Sequence, residues 1–375
     1  GIHRLPRLAI PGWIPDRPSA FRNDRTQPFE HERTPMRALQ LFGDRDLRIV
    51  EVDHPPHPGP TEVQVRVHAV GLNHIDVWGF RGMAFAKRKL PLTVGAEAAG
   101  VVSAVGENVT HVDIGDRVVM YGARTCGHCK ACVQGRDNLC EEVGGIMGFH
   151  IDGFSCDFVT MPQRLLVKIP DGVSFEEAAC APIAFGTVQH MLFDNARLEP
   201  GESVLVQAGG SGIGTAAIRM AKAIGCTVYA TVGDDEKGEK AKALGADHVI
   251  NYRTDRFEGV VRKLTGRKGV DVVFEHTGAD TWQGSLLSLK RGGRLVTCGS
   301  TSGVSTTMNL MQLFQQQYKI FGSFGCSLRN IEQSLKKMAD GIRPVIDTVF
   351  PLADFGKGLE RLESRKVFGK IIVRF

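Results

Sequence analysis

The chain has 375 residues, of which 42% are hydrophobic and 23% are charged, and its formal net charge is +5. This length exceeds what one hydrophobic core usually serves, so it predicts two folded domains. The ordinary composition excludes a largely disordered chain, and the mild, dispersed charge gives no indication of a nucleic-acid partner. No apolar run reaches the length that a bilayer crossing requires, so we expect no membrane partner.

The first 35 residues differ from the rest of the chain. They are rich in proline and arginine, contain no lysine, and show no sustained helical or strand period. Arginine-rich starts also occur in transit peptides, but such peptides are poor in acids, and this segment has four, among them Asp16 and Glu30. We therefore predict that residues 1–35 are a non-catalytic extension.

Two kinds of hydrophobic pattern follow. Residues 36–182 contain short β-branched runs separated by glycine, such as EVQVRVHAVG, which predict a compact, mostly antiparallel, barrel-like unit. From residue 183 strands alternate with amphipathic helices, which predicts a doubly wound parallel sheet and hence an α/β chain. The terminal KIIVRF is predicted to be one more strand that returns to the first unit.

Four cysteines lie close together in CGHCKACVQGRDNLC. A structural zinc binds four thiolates in a closed tetrahedron, whereas a catalytic zinc keeps one position open for water or substrate. The spacing C-x2-C-x2-C-x7-C therefore predicts a structural zinc. Because nothing near the start has the pattern of a secretory signal, the nine cysteines indicate a reducing, cytoplasmic compartment. The predicted zinc ligands are Cys126, Cys129, Cys132 and Cys140.

The segment VQAGGSGIG follows a predicted strand and precedes a predicted helix, which is the context of a dinucleotide-binding turn. Glycines allow the tight turn and let backbone amides reach a pyrophosphate at the helix N-terminus. Ser211 stands where the second glycine of the strict pattern is expected. The predicted cofactor-binding residues of this turn are Gly209, Gly210, Gly212, Ile213 and Gly214.

The next predicted strand ends in TVGDDEK, where an NAD site usually carries an acid for the ribose hydroxyls. Gly233 falls at that position and leaves room for a 2′-phosphate, for which Lys237 supplies a cation, while Tyr252 is predicted to stack on the adenine. The alternative is that Asp234 or Asp235 binds the ribose of NADH. We expect NADPH, with NADH still possible.

The four-cysteine segment, GAEAAGVVSAVGENV, IGDRV, the strand-GGSGIG-helix unit and FGKIIV together resemble the medium-chain dehydrogenase/reductase superfamily. This resemblance covers residues 36–375. It implies a GroES-like catalytic domain of residues 36–182 and 325–375, a Rossmann domain of residues 183–324, and an active-site cleft between them. It also implies a small-molecule substrate and homodimers or homotetramers that pair through the strand KIFGSFG.

The sequence departs from the zinc alcohol dehydrogenases of that superfamily at the catalytic metal. Asn73 stands where they carry a cysteine ligand, Ala96 stands where they carry a histidine ligand, and residues 181–186 contain no ligating side chain. We therefore expect no catalytic zinc. An atypical metal site of His74, Glu97 and His190, and with it an alcohol or aldehyde dehydrogenase, is the alternative.

The resemblance to the zinc-free quinone reductases implies hydride transfer to a conjugated carbonyl compound, namely a quinone, an enone or an enoyl thioester. In that interpretation Asn73 donates a hydrogen bond to the developing enolate oxygen, and His74 and Asp76 are further catalytic candidates. His150, His190 and His276 are interpreted as ordinary hydrogen-bonded histidines. A cofactor-binding protein without turnover is a third hypothesis.

Overall fold

The computed structural model describes residues 35–82 and 88–375. The predicted extension, residues 1–35, lies outside the described residues except for Pro35. Residues 35–375 form one compact unit by their contacts. Within the described ranges, no helix combines the length and the apolar character that a bilayer crossing requires.

The first half of the described chain is rich in strands, with short helices between them. Its strands are β1 Met36–Gly43, β2 Asp46–Val52, β3 Glu62–Gly71, β4 Leu92–Thr93, β5 Glu97–Val105, β6 Arg117–Met120, β7 Phe158–Pro162 and β8 Leu166–Lys168. Its helices are α1 His74–Phe80, α2 Lys130–Val133, α3 Phe175–Ala178 and α4 Gly186–Gln189, with π-helical turns at Ala181–Phe185 and His190–Asn195.

The second half alternates strands and helices, as the sequence predicts. Its strands are β9 Ser203–Val206, β10 Thr227–Val232, β11 His248–Asn251, β12 Val270–Glu275, β13 Leu289–Thr297, β14 Lys319–Gly322, β15 Ile346–Pro351 and β16 Lys370–Arg374. Its helices are α5 Gly212–Ala223, α6 Asp235–Ala243, α7 Phe257–Leu264, α8 Ala279–Ser288, α9 Leu310–Gln316, α10 Leu328–Ala339 and α11 Phe355–Glu363.

Strands β9 to β14 form a parallel sheet in the order β11-β10-β9-β12-β13-β14. This is the doubly wound order in which the chain direction switches between β9 and β12, and such sheets bind dinucleotides in the crevice outside that switch point. The prediction of a Rossmann domain is confirmed. Its proposed limits, residues 183 and 324, remain predictions and enclose the whole sheet.

The remaining strands form two sheets, β2-β1-β4 and β15-β16-β3-β5-β6-β8, with β7 also paired to β3. All their pairings are antiparallel except β15 with β16, so the mostly antiparallel GroES-like domain is confirmed. The C-terminal strand β16 returns to this domain and pairs with β3, with Ile372 opposite Gly71. This pairing brings Lys370, at the start of β16, to the residues that follow β3.

Candidate active site

A cavity of about 1400 Å³ opens at the crevice of the parallel sheet. The GroES-like domain supplies one wall through the start of α1 and the segment that follows the cysteine loop. The Rossmann domain supplies the other wall through the glycine turn and the ends of β10, β12 and β13. The predicted cofactor residues and the predicted catalytic candidates Asn73 and His74 therefore face one cavity, which we call the cleft.

The glycine turn has the geometry of a phosphate cradle. A Cβ at Gly214 would lie 2.3 Å from the Ala208 carbonyl oxygen, and one at Gly212 would lie 2.7 Å from the side chain of Lys370. Neither position tolerates a side chain without rearrangement. Ser211 is the N-cap of α5, and its hydroxyl accepts from the Gly214 amide at 2.9 Å. Ser211 thus replaces the second glycine because it caps the helix.

The residues predicted for the adenosine end lie together. An ideal Cβ on Gly233 would be 2.7 Å from the Tyr252 hydroxyl, so Tyr252 lies directly over Gly233. The Lys237 Nζ lies nearby, where it donates to the Arg365 carbonyl at 2.6 Å. Gly233, Lys237 and Tyr252 all line the cleft, and their predicted role around a 2′-phosphate stays a prediction.

Both candidate acids for an NADH ribose already have partners. Asp234 is the N-cap of α6 and accepts from the Lys237 amide at 2.8 Å. Asp235 accepts from the Asn251 amide group at 2.9 Å. Within the part of the chain that the structure describes, the exposed cations Arg253, Arg365 and Lys366 also line the cleft, and their side chains make no ion pair. The adenosine end is therefore richer in available positive than negative charge.

Glu97, at the start of β5, is the centre of a buried polar network. The side chain of Glu97 is 0% exposed and that of Lys370 is 3% exposed, and Nζ of Lys370 lies 2.6 Å from Oε1 of Glu97. The same ammonium donates to the Leu72 carbonyl at 2.7 Å and to Asn73 Oδ1 at 2.8 Å. The other Glu97 oxygen accepts from the Ile183 amide at 2.8 Å. A buried ion pair whose remaining atoms are hydrogen-bonded in this way resists separation.

This network corrects the role predicted for Asn73. Its side-chain nitrogen donates to Glu97 Oε1 at 2.9 Å and to the Gly71 carbonyl at 3.3 Å, so both of its N–H groups are used. The orientation of the amide follows from its partners, because an ammonium only donates and a carboxylate only accepts. Asn73 has no donor left for a substrate oxygen, and it instead bridges Lys370 and Glu97.

Asp76 is also placed differently from its prediction as a catalytic candidate. It is buried and does not line the cleft. Its Oδ2 accepts from the Asn73 backbone amide at 2.8 Å in a capping box at the start of α1, while no described residue hydrogen-bonds to its Oδ1. Burial raises the pKa of Asp76 to about 7. We therefore correct its role to that of positioning α1 and the residues before it.

His74 is exposed and lines the cleft, whose walls surround its ring with protein. This desolvation lowers the pKa of His74 to about 4, and the nearby His276, Arg365, Lys370 and Arg81 also disfavour a charged ring. His74 is neutral at physiological pH.

The atypical metal site of His74, Glu97 and His190 is not formed. His190 Nδ1 lies 3.0 Å from Asp194, and its Nε2 lies 3.2 Å from the Asn138 amide nitrogen. In residues 35–82 and 88–375, no cluster of three or more potential metal ligands contains Glu97. The side chains at the expected catalytic zinc position therefore do not fit such an ion.

The predicted structural zinc site, in contrast, has side chains that fit a metal ion. The sulfur atoms of Cys126, Cys129, Cys132 and Cys140 all lie within 4.8 Å of one another, and all four thiols are free. The Cys126 and Cys132 sulfurs are 4.0 Å apart, close to the roughly 3.8 Å edge of a tetrahedron with Zn–S bonds of about 2.3 Å. Backbone amides of His128 and Cys129 donate to Cys126 Sγ at 3.5 and 3.2 Å. These four residues fit a zinc ion that holds the loop together.

One residue of the buried network, Lys370, could not be found from the sequence. It lies within FGKIIV, which is quoted only as a family marker, and its partner Glu97 is 273 positions away along the chain. Only the pairing of distant strands brings the two side chains together. His276 lines the cleft after β12, and its Nε2 lies 2.9 Å from the Gln207 carbonyl, in agreement with its interpretation as a hydrogen-bonded histidine.

Comparison with known proteins agrees with this architecture. Residues 59–171 match the alcohol dehydrogenase GroES-like domain, and residues 212–340 match the zinc-binding dehydrogenase family. An alcohol dehydrogenase from Geobacillus stearothermophilus is 32% identical over 334 residues, which cover 88% of this chain and 96% of that protein. A quinone oxidoreductase from Salmonella typhimurium is 35% identical over 274 residues, which cover 73% of this chain and 75% of that protein.

Among solved structures, a crystal structure of an NAD-dependent alcohol dehydrogenase is similar to this chain with a TM-score of 0.86 and 40% identity. The match covers 91% of this chain and all of that one, 100%. The fold, the domain matches and the identities lead to one conclusion: the chain belongs to the medium-chain dehydrogenase/reductase superfamily and is an oxidoreductase of that type.

Proposed function

We propose that the protein is an NADPH-preferring reductase that transfers hydride to a conjugated carbonyl compound (a quinone, an enone or an enoyl thioester), with one structural zinc. The observation that carries this proposal is the network of Lys370, Glu97 and Asn73. It occupies the region where the superfamily's zinc enzymes hold their catalytic metal, and it leaves Glu97 without a free oxygen.

This network favours reduction of a conjugated carbonyl compound over oxidation of an alcohol. Metal-dependent oxidation of an alcohol uses a Lewis acid to lower the pKa of the hydroxyl group, and Asn73 and Ala96 cannot hold such an ion. Reduction of a conjugated carbonyl needs hydrogen-bond donors at the oxygen where charge develops. The bound nicotinamide supplies the hydride. The chain itself binds the dinucleotide at the glycine turn and shields the reaction from water with apolar residues of the cleft, including Trp78, Ile146 and Ile183.

The preference for NADPH rests on the charges at the adenosine end. Asp234 and Asp235 are held by other groups, whereas the cations Lys237, Arg253 and Arg365 line the same cleft as Gly233. A phosphate seeks cations and backbone amides, so this environment supports a 2′-phosphate. Since one similar solved structure is of an NAD-dependent enzyme, both cofactors belong in the test.

The test is a panel of quinones, enones, enoyl thioesters and simple aldehydes, assayed with each cofactor. We expect NADPH consumption with the conjugated substrates and none with simple aldehydes. Alcohol oxidation that a zinc chelator abolishes would instead support a zinc dehydrogenase. Tight cofactor binding without turnover on the whole panel would support a binding protein.

We also propose a cytoplasmic homodimer, with a homotetramer still possible. The cysteines are all unpaired, as a reducing compartment requires. Strand β14 is an edge of its sheet, and Leu310, Met311 and Phe314 of α9 are exposed at 67%, 60% and 67%. Pairing β14 with its copy would satisfy its free backbone groups and cover apolar surface. Sedimentation at micromolar concentration should show a dimer or tetramer, and a monomer would contradict this proposal.

A further inference from the structure

The proposed function needs a hydrogen-bond donor near the substrate oxygen, and the predicted donor Asn73 is fully engaged. We propose that His150, interpreted from the sequence as an ordinary histidine, is this donor and therefore a catalytic residue. The inference rests on the proposed function and deepens it. His150 lines the cleft on a loop between the cysteine segment and β7.

The hydrogen bonds of His150 fix the position of its proton. The Ile146 backbone amide donates to Nδ1 of His150 at 3.2 Å, so Nδ1 carries no hydrogen. A neutral imidazole then carries its proton on Nε2. Burial and the nearby Arg88 lower the pKa of His150, which favours this neutral form. Among the residues that the structure describes, none hydrogen-bonds to Nε2 of His150, so its N–H is available.

The loop that carries His150 is held rigidly against the catalytic region. A Cβ at Gly148 would lie 2.5 Å from the Gly95 carbonyl oxygen, and one at Gly153 would lie 2.2 Å from the same atom. The loop therefore packs backbone to backbone on the residue two positions before Glu97. The Phe154 amide also donates to the Gly95 carbonyl at 3.0 Å. Such packing preorganises a donor, which is what electrostatic catalysis requires.

The other polar side chains of the cleft are less suited to this role. The Tyr121 hydroxyl donates to the Cys326 carbonyl at 2.6 Å, and the Asn138 amide nitrogen donates to the Phe324 carbonyl at 2.9 Å. Among the described residues, none hydrogen-bonds to the ring of His74, so nothing fixes its tautomer as the Ile146 amide fixes that of His150. His150 instead has Phe149 as its ring neighbour, with centroids 4.9 Å apart, and that ring packs on Gly79 of α1.

The chemistry assigns a defined role to this N–H. When a hydride adds to the β-carbon of a conjugated carbonyl, an electron pair moves to the oxygen and forms an enolate. The Nε2–H of His150 hydrogen-bonds to that oxygen and keeps its proton, because a neutral imidazole is a very weak acid. A proton from water then completes the α-carbon. His150 stabilises charge and takes no part in proton transfer.

Two substitutions separate this role from a structural one. In His150→Asn, the side-chain oxygen can replace Nδ1 as the acceptor for the Ile146 amide, but no group replaces Nε2. In His150→Gln, the amide group reaches the Nε2 position, but the Nδ1 acceptor is lost. We therefore expect His150→Asn to keep the thermal stability and lose the donor, and His150→Gln to do the reverse.

The first measurement does not depend on turnover. The complex of the full-length protein with NADP⁺ is titrated with 4-nitrophenolate, whose oxygen mimics an enolate. His150→Asn should weaken phenolate binding at least about tenfold, since a hydrogen bond to a charged group contributes this much, while His150→Gln and the wild type should bind similarly. Equal affinity of His150→Asn and the wild type would overturn the inference.

The second measurement is kinetic, on whichever panel substrate the wild type reduces. His150→Asn should lower kcat/KM by about a hundredfold with an unchanged Kd for NADPH, and the isotope effect with 4-deuterated NADPH should rise. A wild type inactive on the whole panel would refute the proposed function, and the phenolate titration would still decide the role of His150. Unchanged kcat/KM in His150→Asn would refute the inference and leave the proposed function intact.

Discussion

Two regions of the molecule solve the same physical problem in different ways: the cysteine loop, residues 126–140, and the α1–β5 junction, which is the network of Asn73, Glu97 and Lys370. Each brings electron-rich groups close together in the GroES-like domain, and each then needs a positive charge. The sulfur atoms of the four thiols lie within 4.8 Å of one another and fit a metal ion. At the junction, Lys370 supplies the charge from within the chain, at 2.6 Å from Glu97. With the proposed zinc, the first region takes its cation from solution, whereas the second is complete once β16 pairs with β3.

Because of this difference, we expect the cysteine loop to contribute to stability and the junction to contribute to the reaction. A metal in the cysteine loop has four protein ligands and no open position, so it contributes to folding alone. The ammonium of Lys370 holds Asn73 and Glu97 in place, but it has no vacant orbital and cannot act as a Lewis acid as zinc does. The proposed function therefore assigns hydride transfer in the cleft to hydrogen-bond donors and to a substrate that is already activated by conjugation.

Removing one of the predicted zinc ligands should give the largest loss of stability. Cys132→Ser removes one ligand, so we expect the zinc content to fall from one per chain to near zero and the free energy of unfolding to fall by more than about 4 kcal/mol. Elemental analysis and chemical denaturation measure both quantities. Cys226→Ser, at a buried thiol outside the loop, is the matched control and should retain zinc. Two zinc ions per wild-type chain would contradict the proposal that the catalytic metal position is empty.

Removing the ammonium group of Lys370 should give the next largest loss of stability. Lys370→Met leaves the carboxylate of Glu97 buried without a counter-charge, which typically costs about 3–5 kcal/mol of stability. The double variant Lys370→Met/Glu97→Leu removes both charges and should recover most of that loss. Denaturation of the zinc-loaded variants measures the coupling, and each should still contain one zinc. If the double variant is no more stable than the single one, the pair does not act as a compensated unit.

The third prediction concerns the carboxyl group beside that network. Asp76 has a pKa of about 7 in the folded protein, raised by burial from an ordinary value near 3.8. The folded state therefore binds the proton more tightly than the unfolded state, so the contribution of Asp76 to stability is most favourable below about pH 4 and falls as the pH rises to about 7. Above pH 7 the full cost of burying the ionised carboxylate is present.

Asp76→Asn should remove this pH dependence. The amide oxygen can still accept from the Asn73 backbone amide, and it is never ionised. We expect a gain on the order of 2 kcal/mol in the free energy of unfolding at pH 8, since each unit of pKa shift corresponds to about 1.4 kcal/mol and relaxation reduces the total. Denaturation between pH 4 and 8 is the measurement. Parallel pH profiles for the variant and the wild type would show that Asp76 titrates normally.

The sequence predicts local features of this molecule well. EVQVRVHAVG is the strand β3, the glycine turn opens α5, and the four cysteines lie together as their spacing indicates. Each of these depends on residues that are near one another in the chain. The prediction for Asn73 is wrong because its partner Lys370 arrives from the C-terminal strand, 297 positions away. Hydrophobic pattern gives that strand but not its register, and register decides where the ammonium lies.

Substitutions at the adenosine end should have the smallest effect, and this effect should be limited to the choice between NADPH and NADH. Lys237→Ala removes one charge-assisted contact to a 2′-phosphate, worth about 1.5–3 kcal/mol. It should weaken NADPH binding by about ten- to a hundredfold and leave NADH nearly unchanged. Exposed Lys242, paired with Glu239 on the same helix, is the control, and Lys242→Ala should alter neither affinity.

Gly233→Asp tests the same site in the opposite direction. It restores an acid for the ribose hydroxyls, but its Cβ would lie 2.7 Å from the Tyr252 hydroxyl, so this exposed ring must move aside. We expect the variant to prefer NADH, with some of the gain offset by that displacement. Fluorescence titration of both cofactors against wild type and variants measures each Kd. If the wild type binds NADH at least as tightly as NADPH, Asp234 or Asp235 leaves its present partner to bind the ribose, and the proposed preference is wrong.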